Sequence, residues 1–236
     1  MRYDVVIPAF NAAATVAEAV RSVLGHEPAP ARIHLVDDGS RDGTADIAAS
    51  LDARVVVTRQ PNRGAGWATT TGIGLATAPF IAFLDADDIW LPGKIARQAE
   101  RFAAWPGLDG VFAHARRFRE RDGAREEGAV QPIWGRTTFV VRREAALRVG
   151  PMIDPPGMRG EMVDWIARAR ETGLAFEMLP DVLALRRIHP GSLSYGRDRE
   201  RDRGYLLTAR AAIQRRRQRQ AAPDPDEPAP ASQNDA

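Results

Sequence analysis

Three carboxylates stand directly after a short hydrophobic run in the segment PFIAFLDADDIWLPGK. Asp85, Ala86 and Asp87 form a D-x-D triplet, and Asp88 follows it. A two-residue spacing at the end of a strand lets both outer carboxylates address one cavity once the chain leaves the sheet. Hard cations such as Mg²⁺ or Mn²⁺ prefer oxygen ligands and complete their shell with water and substrate phosphates. The triplet therefore predicts a divalent-cation site, and an acidic helix cap is the alternative.

The elements that must position these carboxylates are predicted by four short runs, DVVIP, IHLVDD, RVVVTR and FIAFL, which are typical of buried strands. Helical patterns separate them, and Thr15 with Glu18 predicts a capping box at the first helix. This alternation predicts an α/β fold with a doubly wound, mostly parallel, Rossmann-like sheet. Ligands bind beyond the carboxyl ends of such strands. The polar residues at those ends are Asn11, Asp37, Asp38, Arg59–Arg63 and Asp85–Asp88.

The second half of the chain is less regular. Asp122-Gly123 predicts a β-hairpin, TTFVVRR predicts a strand, and GEMVDWIARARETG predicts a helix that Gly173 closes. LAFEMLP and VLALRRIH predict two further strands. Residues 197–220 form an arginine-rich tail with a helical pattern, and residues 221–236 have the composition of a disordered tail.

Composition narrows the class of protein. The 236 residues suffice for one large domain, and 33 Lys and Arg nearly balance 31 Asp and Glu, so charge does not predict nucleic-acid binding. The chain has no cysteine, so any metal must bind oxygen or imidazole. No run reaches the roughly 18 apolar residues of a membrane span. We expect a cytoplasmic protein without a transmembrane segment.

Three segments occur in a fixed order: VVIPAFNAAATVAEAVRSVL, IHLVDDGSRDGTADIA and FIAFLDADDIWLPGKI. In this order and spacing the chain resembles the family 2 glycosyltransferases, which have a GT-A fold. The resemblance is strong over Tyr3 to Gly110 and extends more weakly to about Ser194. It implies a nucleotide-sugar-binding half over residues 1–110. A smaller acceptor-binding and catalytic half of the same domain would follow over residues 111–196.

The resemblance implies a set of donor-binding residues. The first strand-end loop would lie along the base and ribose, and Asp38 would accept a hydrogen bond from a base N–H, with Asp37 supporting the turn. A carboxylate against a ring N–H favours uracil-like edges. Core packing is the alternative for Phe10, and helix capping is the alternative for Asp37. The loop residues are Pro8, Ala9, Phe10 and Asn11.

The same resemblance divides the D-x-D residues. Asp85 and Ala86 would contact the nucleotide, and Asp87 would bind the Mn²⁺ or Mg²⁺ that bridges the diphosphate. Asp88 would support this group or cap a helix.

The segment LRRIHPGSLS resembles the terminal R-x-H segment of the family. His189 would be a further metal ligand or a diphosphate contact, with a structural histidine as the alternative. Arg187 would point at phosphate, and Arg186 would face away.

The sequence departs from the family at two places. Relatives carry an arginine before the D-x-D strand where this chain has Ala68-Thr69-Thr70. Arg63 would replace it, and a solvated loop arginine is the alternative.

The second departure concerns the general base that an inverting transferase needs. The usual base position holds Met162. Glu161 and Asp164 are three residues apart and so are expected on one helix face. We favour Asp164, beside Trp165 as a floor for the acceptor sugar, and Glu161 stays the alternative.

Together these features predict a metal-dependent inverting glycosyltransferase that uses a nucleotide-sugar, UDP-linked rather than GDP-linked. The acceptor is unknown: a glycan, a lipid-linked sugar, a peptide or a small molecule. The tail segment QRRRQRQ could contact anionic lipid, with a solvated helix end as the alternative. Competing interpretations are an inactive nucleotide-binding protein of the same fold and a nucleotidyltransferase. The second would need a glycine-rich loop with a lysine after the first strand, and PAFNAAAT has none.

Overall fold

The computed structural model describes residues 1–157, 159–192, 195–196 and 199–221, and it describes the side chains of helix 199–221 from 202 to 218. The strands are β1 (Tyr3–Ala9), β2 (Arg32–Asp37), β3 (Val55–Arg59), β4 (Phe80–Phe83), β5 (Ile89–Trp90), β6 (Gly110–Arg121), β7 (Ala124–Ile133), β8 (Val140–Arg142) and β9 (Phe176–Arg187). The helices are α1 (Val16–Leu24), α2 (Thr44–Ala49), α3 (Ala65–Leu75), α4 (Lys94–Ala104), α5 (Arg143–Val149), α6 (Glu161–Glu171) and α7 (Arg199–Ala221), and a 3₁₀ turn spans Arg136–Thr138.

The nine strands of the described residues form one sheet in the order β3-β2-β1-β4-β8-β6-β9-β5, with β7 paired to β6. The first four strands are parallel, β8 runs antiparallel to both β4 and β6, and β6 and β9 are parallel. The chain order reverses at β1, because β2 lies on one side of it and β4 on the other. A site is expected beyond the carboxyl ends of the strands at such a switch point.

Two apolar layers cover the sheet. Val5 and Ile7 belong to the core that includes buried residues of α1, α2 and α4, whereas Val6 belongs to the core that includes α3, α5 and α6. This alternation follows from the two-residue period of a strand. A Cβ at Gly72 of α3 would lie 2.3 Å from Val6 Cγ1, so only glycine lets α3 pack this closely on β1. The predicted doubly wound, mostly parallel α/β sheet is confirmed.

The hairpin and the helix of the second half were also predicted correctly. Asp122 and Gly123 join β6 to β7 with φ of 51° and 76°, as a type I′ turn requires. Helix α6 ends before Gly173, whose φ is 79°.

Two local predictions were wrong. One strand, β9, replaces the two predicted ones. It passes through Pro180 because the register with β6 moves directly from Leu179 to Val182, and the resulting bulge accommodates the proline. The capping box of α1 does not form: the Thr15 hydroxyl donates to carbonyl oxygens, at 2.9 Å to that of Ala86.

The arginine-rich segment is helical, as α7, and packs against α6. The disordered tail predicted for residues 221–236 lies outside the described residues from 222 onward.

Candidate functional site

A cavity of about 750 Å³ opens at the carboxyl ends of β1, β2, β3 and β4. Its volume is in the range of small-molecule sites. The wall has a strand-end part and a part formed by the turn 132–137, the start of α6, α7 and the segment after β9. The lining residues are Pro8–Ala12, Thr15, Asp38, Asn62, Gly64, Ala65, Ala68, Asp85–Asp88, Pro132–Thr137, Arg159–Val163, Arg186, Arg187, His189, Gly191, Ser192 and Tyr205.

The loop after β1 forms one end of this cavity. Asn11 has a φ of 48°, a conformation that asparagine tolerates better than most residues. Its side-chain oxygen accepts the N–H of Arg41 at 3.0 Å, and its own N–H donates to Ser40 Oγ at 2.9 Å. These bonds tie the first strand-end loop to the second. Phe10 is 51% exposed, which excludes core packing as its role.

Asp38 is buried and organises the loop after β3. Its carboxylate accepts the N–H groups of Arg63 and Gly64, the latter at 2.8 Å, and the amide of Gln60 at 2.7 Å. The predicted bond from a base N–H to Asp38 stays a prediction. Asp37 accepts the N–H of Ser40 at 3.0 Å, which agrees with its predicted support of the turn.

The D-x-D carboxylates reach two different partners. Asp87 Oδ2 lies 3.0 Å from His189 Nε2, so the two predicted metal ligands meet at the cavity wall. Asp85 Oδ1 accepts Arg136 Nε at 2.6 Å. Burial first, and then the charge of Asp85, raise the pKa of Asp87 above its usual range, while His189 opposes the rise.

Asp88 is buried beneath this pair and does not cap a helix, because Gly93 holds that position at α4. It accepts the hydroxyl of Thr137 and the N–H of Arg187, the latter at 2.8 Å. Burial, together with Asp87 and Asp85, raises the pKa of Asp88 well above its usual range. Asp88 therefore anchors the end of β9 to the D-x-D loop.

Arg136 lines the cavity and was not among the predicted site residues. Its side chain is only 7% exposed, and its guanidinium bridges Asp85 and Glu161, with Nη1 at 2.8 Å from Glu161 Oε1. Burial alone would lower the pKa of Arg136, but Asp85 and Glu161 raise it. The one signal in the sequence is a lone arginine in GRTTFVV, a segment that is otherwise apolar or Thr-rich and therefore suited to burial.

The structure does not support the preference for Asp164 as general base. Its carboxylate pairs with Arg168 at 2.8 Å and with Arg215 of α7 at 3.1 Å, and Asp164 is not among the lining residues. Glu161 lies in the cavity wall instead. Side chains three residues apart point about 60° apart around the axis of a helix. This difference suffices to put the carboxylates of Glu161 and Asp164 in different surroundings.

Trp165 is likewise not an acceptor floor. It is fully buried against Phe139 and Phe176, and its indole N–H donates to Gly150 O at 3.0 Å. The tryptophan that lines the cavity is Trp134, which is 40% exposed.

The predicted roles of three arginines need correction. All three guanidinium nitrogens of Arg187 are bonded, to Glu18, Glu120 and the carbonyl of Asp87, so it does not point at phosphate. Arg186, expected to face away, lines the cavity. Arg63 lies 4.1 Å over the ring of Trp67 and is not among the lining residues, so it does not replace the missing family arginine.

Within the described part of the chain, no group of three or more Asp, Glu or His side chains is arranged to hold a metal ion. None of the helices in that part is both long and apolar enough to cross a membrane.

The fold is shared with known structures. S. aureus TarS 1–349 in complex with UDP-GlcNAc matches with a TM-score of 0.70 at 16% identity, over 90% of this chain and 65% of that chain. The same protein in complex with UDP matches with a TM-score of 0.63 over 80% of this chain and 61% of that one. These matches confirm the predicted GT-A-type fold.

The family follows from sequence comparison. The model for glycosyl transferase family 2 matches residues 4–160, well over half of the chain. This chain belongs to glycosyl transferase family 2.

Two curated relatives show how far the likeness extends. The succinoglycan biosynthesis protein ExoU of Rhizobium meliloti is 40% identical over 97 residues, 39% of this chain and 28% of the relative. The UDP-Glc:alpha-D-GlcNAc-diphosphoundecaprenol beta-1,3-glucosyltransferase WfgD of Escherichia coli is 34% identical over 97 residues, 40% of this chain and 38% of the relative. The match thus spans about a third of the length of these relatives.

Proposed function

We propose that this chain is a metal-dependent, inverting glycosyltransferase that moves a sugar from a nucleotide-sugar, UDP-linked rather than GDP-linked, to an acceptor hydroxyl. The observation that carries the proposal is one row of polar groups along the cavity wall. The side chains of His189 and Asp87 are within hydrogen-bonding distance of each other. Beside them, Arg136 donates hydrogen bonds to both Asp85 and Glu161. The UDP-GlcNAc in the TarS complex and the UDP-Glc in the name of WfgD support the UDP donor.

The residues present fit a divalent cation at Asp87 and His189. Their side chains are adjacent, and the pKa of Asp87 is raised by burial and by Asp85, so a positive charge there would relieve the crowding of carboxylates. With two protein ligands, the remaining ones must be diphosphate oxygens and water, as is common for Mg²⁺ and Mn²⁺. When bound, the cation supplies Lewis-acid stabilisation of the diphosphate leaving group.

The chain itself positions both substrates. The loop of Pro8–Asn11, with the exposed ring of Phe10, offers an apolar wall for the nucleotide, and Asp38 fixes the loop on the opposite side. Arg136 holds Glu161 through Oε1, which fixes the position of the carboxylate that accepts the proton of the acceptor hydroxyl.

The inverting mechanism needs one such base. Among the described residues of the cavity wall, Glu161 is the carboxylate that belongs neither to the D-x-D group nor to the loop after β2. A direct attack by an acceptor that Glu161 deprotonates inverts the anomeric centre in a single displacement.

A donor-hydrolysis assay tests the proposal. The purified chain is incubated with a panel of UDP- and GDP-sugars in Mn²⁺, Mg²⁺ or EDTA, and the released nucleotide is measured. We expect UDP release that depends on the cation. Asp87→Asn should abolish it and weaken UDP binding by calorimetry in Mn²⁺ but not in EDTA, because the lost contact runs through the cation.

Asp46→Asn is the matched control, because Asp46 is an exposed carboxylate outside the cavity. UDP binding without release of nucleotide from any donor would favour an inactive nucleotide-binding protein, with Met162 at the usual base position as its cause. Cation-independent release would overturn the metal dependence. The anomeric configuration of the product, measured by NMR, separates inversion from retention.

Peripheral membrane contact through α7 is also proposed. Arg203, Leu206, Arg210, Ile213 and Arg217 follow one another at helical spacing and are all exposed. Sedimentation with vesicles that contain anionic or only zwitterionic lipid tests this, and equal binding to both would contradict it. The cytoplasmic location stays a prediction.

A further inference from the structure

The part of the cavity wall around Glu161 carries exposed apolar side chains. Trp134 is 40% exposed, Val163 is 46% exposed and Tyr205 is 42% exposed, and all three line the cavity. Large apolar groups that remain open to solvent within a cavity mark a surface that a ligand covers.

Trp134 is held in place before any ligand binds. The guanidinium of Arg170 lies 4.9 Å from the centre of its ring, and the ring of Phe112 packs at 4.8 Å. The turn that carries it is closed by the Thr138 hydroxyl, which donates to Ile133 O at 2.8 Å. A fixed apolar group gains affinity because little side-chain entropy remains to be lost on binding.

Val163 and Tyr205 stand beside the start of α6. Val163 is two residues from Glu161, and it lies on the same face of α6 as Arg170, seven residues later. Gly160 has a φ of 113°, and a Cβ there would lie 3.3 Å from Tyr205 Cδ1, so α7 approaches the start of α6 closely. The three apolar side chains therefore line the same cavity as the proposed base.

The charged side chains at the start of α6 are already paired. Arg159 lines the cavity, but it is buried and its guanidinium already binds Asp202 at 2.6 Å and the carbonyl of Tyr195 at 3.1 Å. Glu161 is bonded to Arg136. Binding energy for the acceptor must then come chiefly from apolar contact.

We propose that the acceptor is an amphipathic glycoside, a sugar joined to an apolar aglycone. Its sugar hydroxyl reaches Glu161, and its aglycone contacts Trp134, Val163 and Tyr205. This inference rests on the proposed function, since it takes Glu161 as the base. It narrows the acceptor from the open set of glycans, lipid-linked sugars, peptides and small molecules to those with an apolar aglycone.

Binding of synthetic glycosides tests the inference. Methyl, hexyl and octyl β-glycosides of glucose, galactose, N-acetylglucosamine and mannose are titrated, below micelle formation, into the full chain saturated with UDP and Mn²⁺. Because each buried methylene adds to affinity, the Kd should fall by at least about tenfold from the methyl to the octyl compound for one or more of the sugars. Nucleotide release from the UDP-sugar should rise with the same compounds.

Two variants keep the test independent of folding. Trp134→Ala and the isosteric Val163→Thr should each weaken octyl glycoside binding by roughly five- to tenfold and leave methyl glycosides nearly unchanged. Trp105→Ala is the control, because Trp105 is 43% exposed and lies outside the cavity. The thermal midpoint of each variant shows whether it folds.

Equal Kd values for methyl and octyl glycosides in the parent, or equal losses in Trp134→Ala and Trp105→Ala, would overturn the proposal. UDP binding in Mn²⁺ without any acceptor is measured separately. Its absence would count against the proposed function, whereas its presence with no chain-length effect would count against the amphipathic acceptor alone.

Discussion

The two ends of the cavity hold their carboxylates in different ways. At the donor end, Asp38 accepts the N–H groups of Arg63 at 3.0 Å and Gly64 at 2.8 Å, so backbone groups of the loop after β3 hold it. At the acceptor end, Glu161 depends on the side chain of the buried Arg136, which also pairs with Asp85. A backbone donor stays in place when side chains change, whereas an arginine can be removed. The acceptor end should therefore be the more sensitive to substitution.

Arg136→Met should have the largest effect on stability. It leaves Asp85 and Glu161 without their buried counter-charge, and breaking a buried pair in this way costs about 3–5 kcal/mol. Arg97→Met is the matched control, because Arg97 pairs with Asp181 and Glu100 at the surface, where water screens the pairs and a much smaller loss is expected. Urea denaturation measures both, and equal losses would remove the contrast between buried and exposed arginines.

Glu161→Gln should lower transfer by about a hundredfold or more, the usual contribution of a general base, while UDP binding is kept. The variant keeps an oxygen for Arg136, so the geometry is retained. Steady-state kinetics with a working acceptor, beside calorimetry with UDP, measure the two quantities. If Asp164→Asn lost transfer and Glu161→Gln did not, the assignment of the base would be wrong despite the geometry.

Asp4→Asn tests a carboxylate that, like Asp38, accepts hydrogen bonds from backbone N–H groups. Asp4 lies near the start of β1, whereas the cavity lies at the end of that strand. Asp4 Oδ2 accepts the N–H groups of Thr77 and Ala78 at 2.7 and 2.9 Å. Burial alone would raise the pKa of Asp4, but His34, whose Nε2 lies 3.7 Å from Oδ2, and these N–H groups lower it from 3.8 to about 2. The charged form is therefore stabilised by folding. The contribution is fully present above pH 3.8 and is lost as the pH falls through about 2.

The expected cost of Asp4→Asn at pH 7 is about 2 kcal/mol. Denaturation curves of parent and variant from pH 7 to pH 2 should converge at the acid end. A difference that stays constant over this range would show that packing, rather than charge, causes the loss.

Asp164→Asn should have the smallest effect, below about 1 kcal/mol, because the pairs with Arg168 and Arg215 are partly exposed. High salt should shrink the effect further. Thermal denaturation at low and high ionic strength measures it. A loss as large as that of Arg136→Met would mean that docking of α7 on α6 is a main source of stability.

The donor end could be predicted well from the sequence because its rules are local. A strand, a polar turn and a helix repeat along the chain, and so Pro8–Asn11, Asp38 and Asp85–Asp88 could each be placed at a strand end. The acceptor end depends on partners far apart in sequence. Arg136 and Glu161 are 25 residues apart, and Asp164 and Arg215 are 51 apart.

The helical periodicity of a sequence does not show which of two nearby carboxylates will pair with an arginine from a distant element. The preference for Asp164 lost its support for this reason. The role expected of Trp165 failed because Phe139 and Phe176, from other elements, enclose its ring. Both errors concern the facing of a side chain on an element that was itself predicted correctly.

The two-residue strand β5 has a consequence for synthesis of the chain. Ile89 and Trp90 belong to the first half of the chain, yet they pair with Leu185 and Ala184 of β9, almost a hundred residues later. One edge of β4 also stays unpaired until β8 is synthesised, since it pairs with Val140 and Val141 of that strand. A nascent chain that ends near Gly110 therefore exposes an unpaired sheet edge on the ribosome. Protease resistance of stalled nascent chains should appear only once β9 has emerged from the exit tunnel.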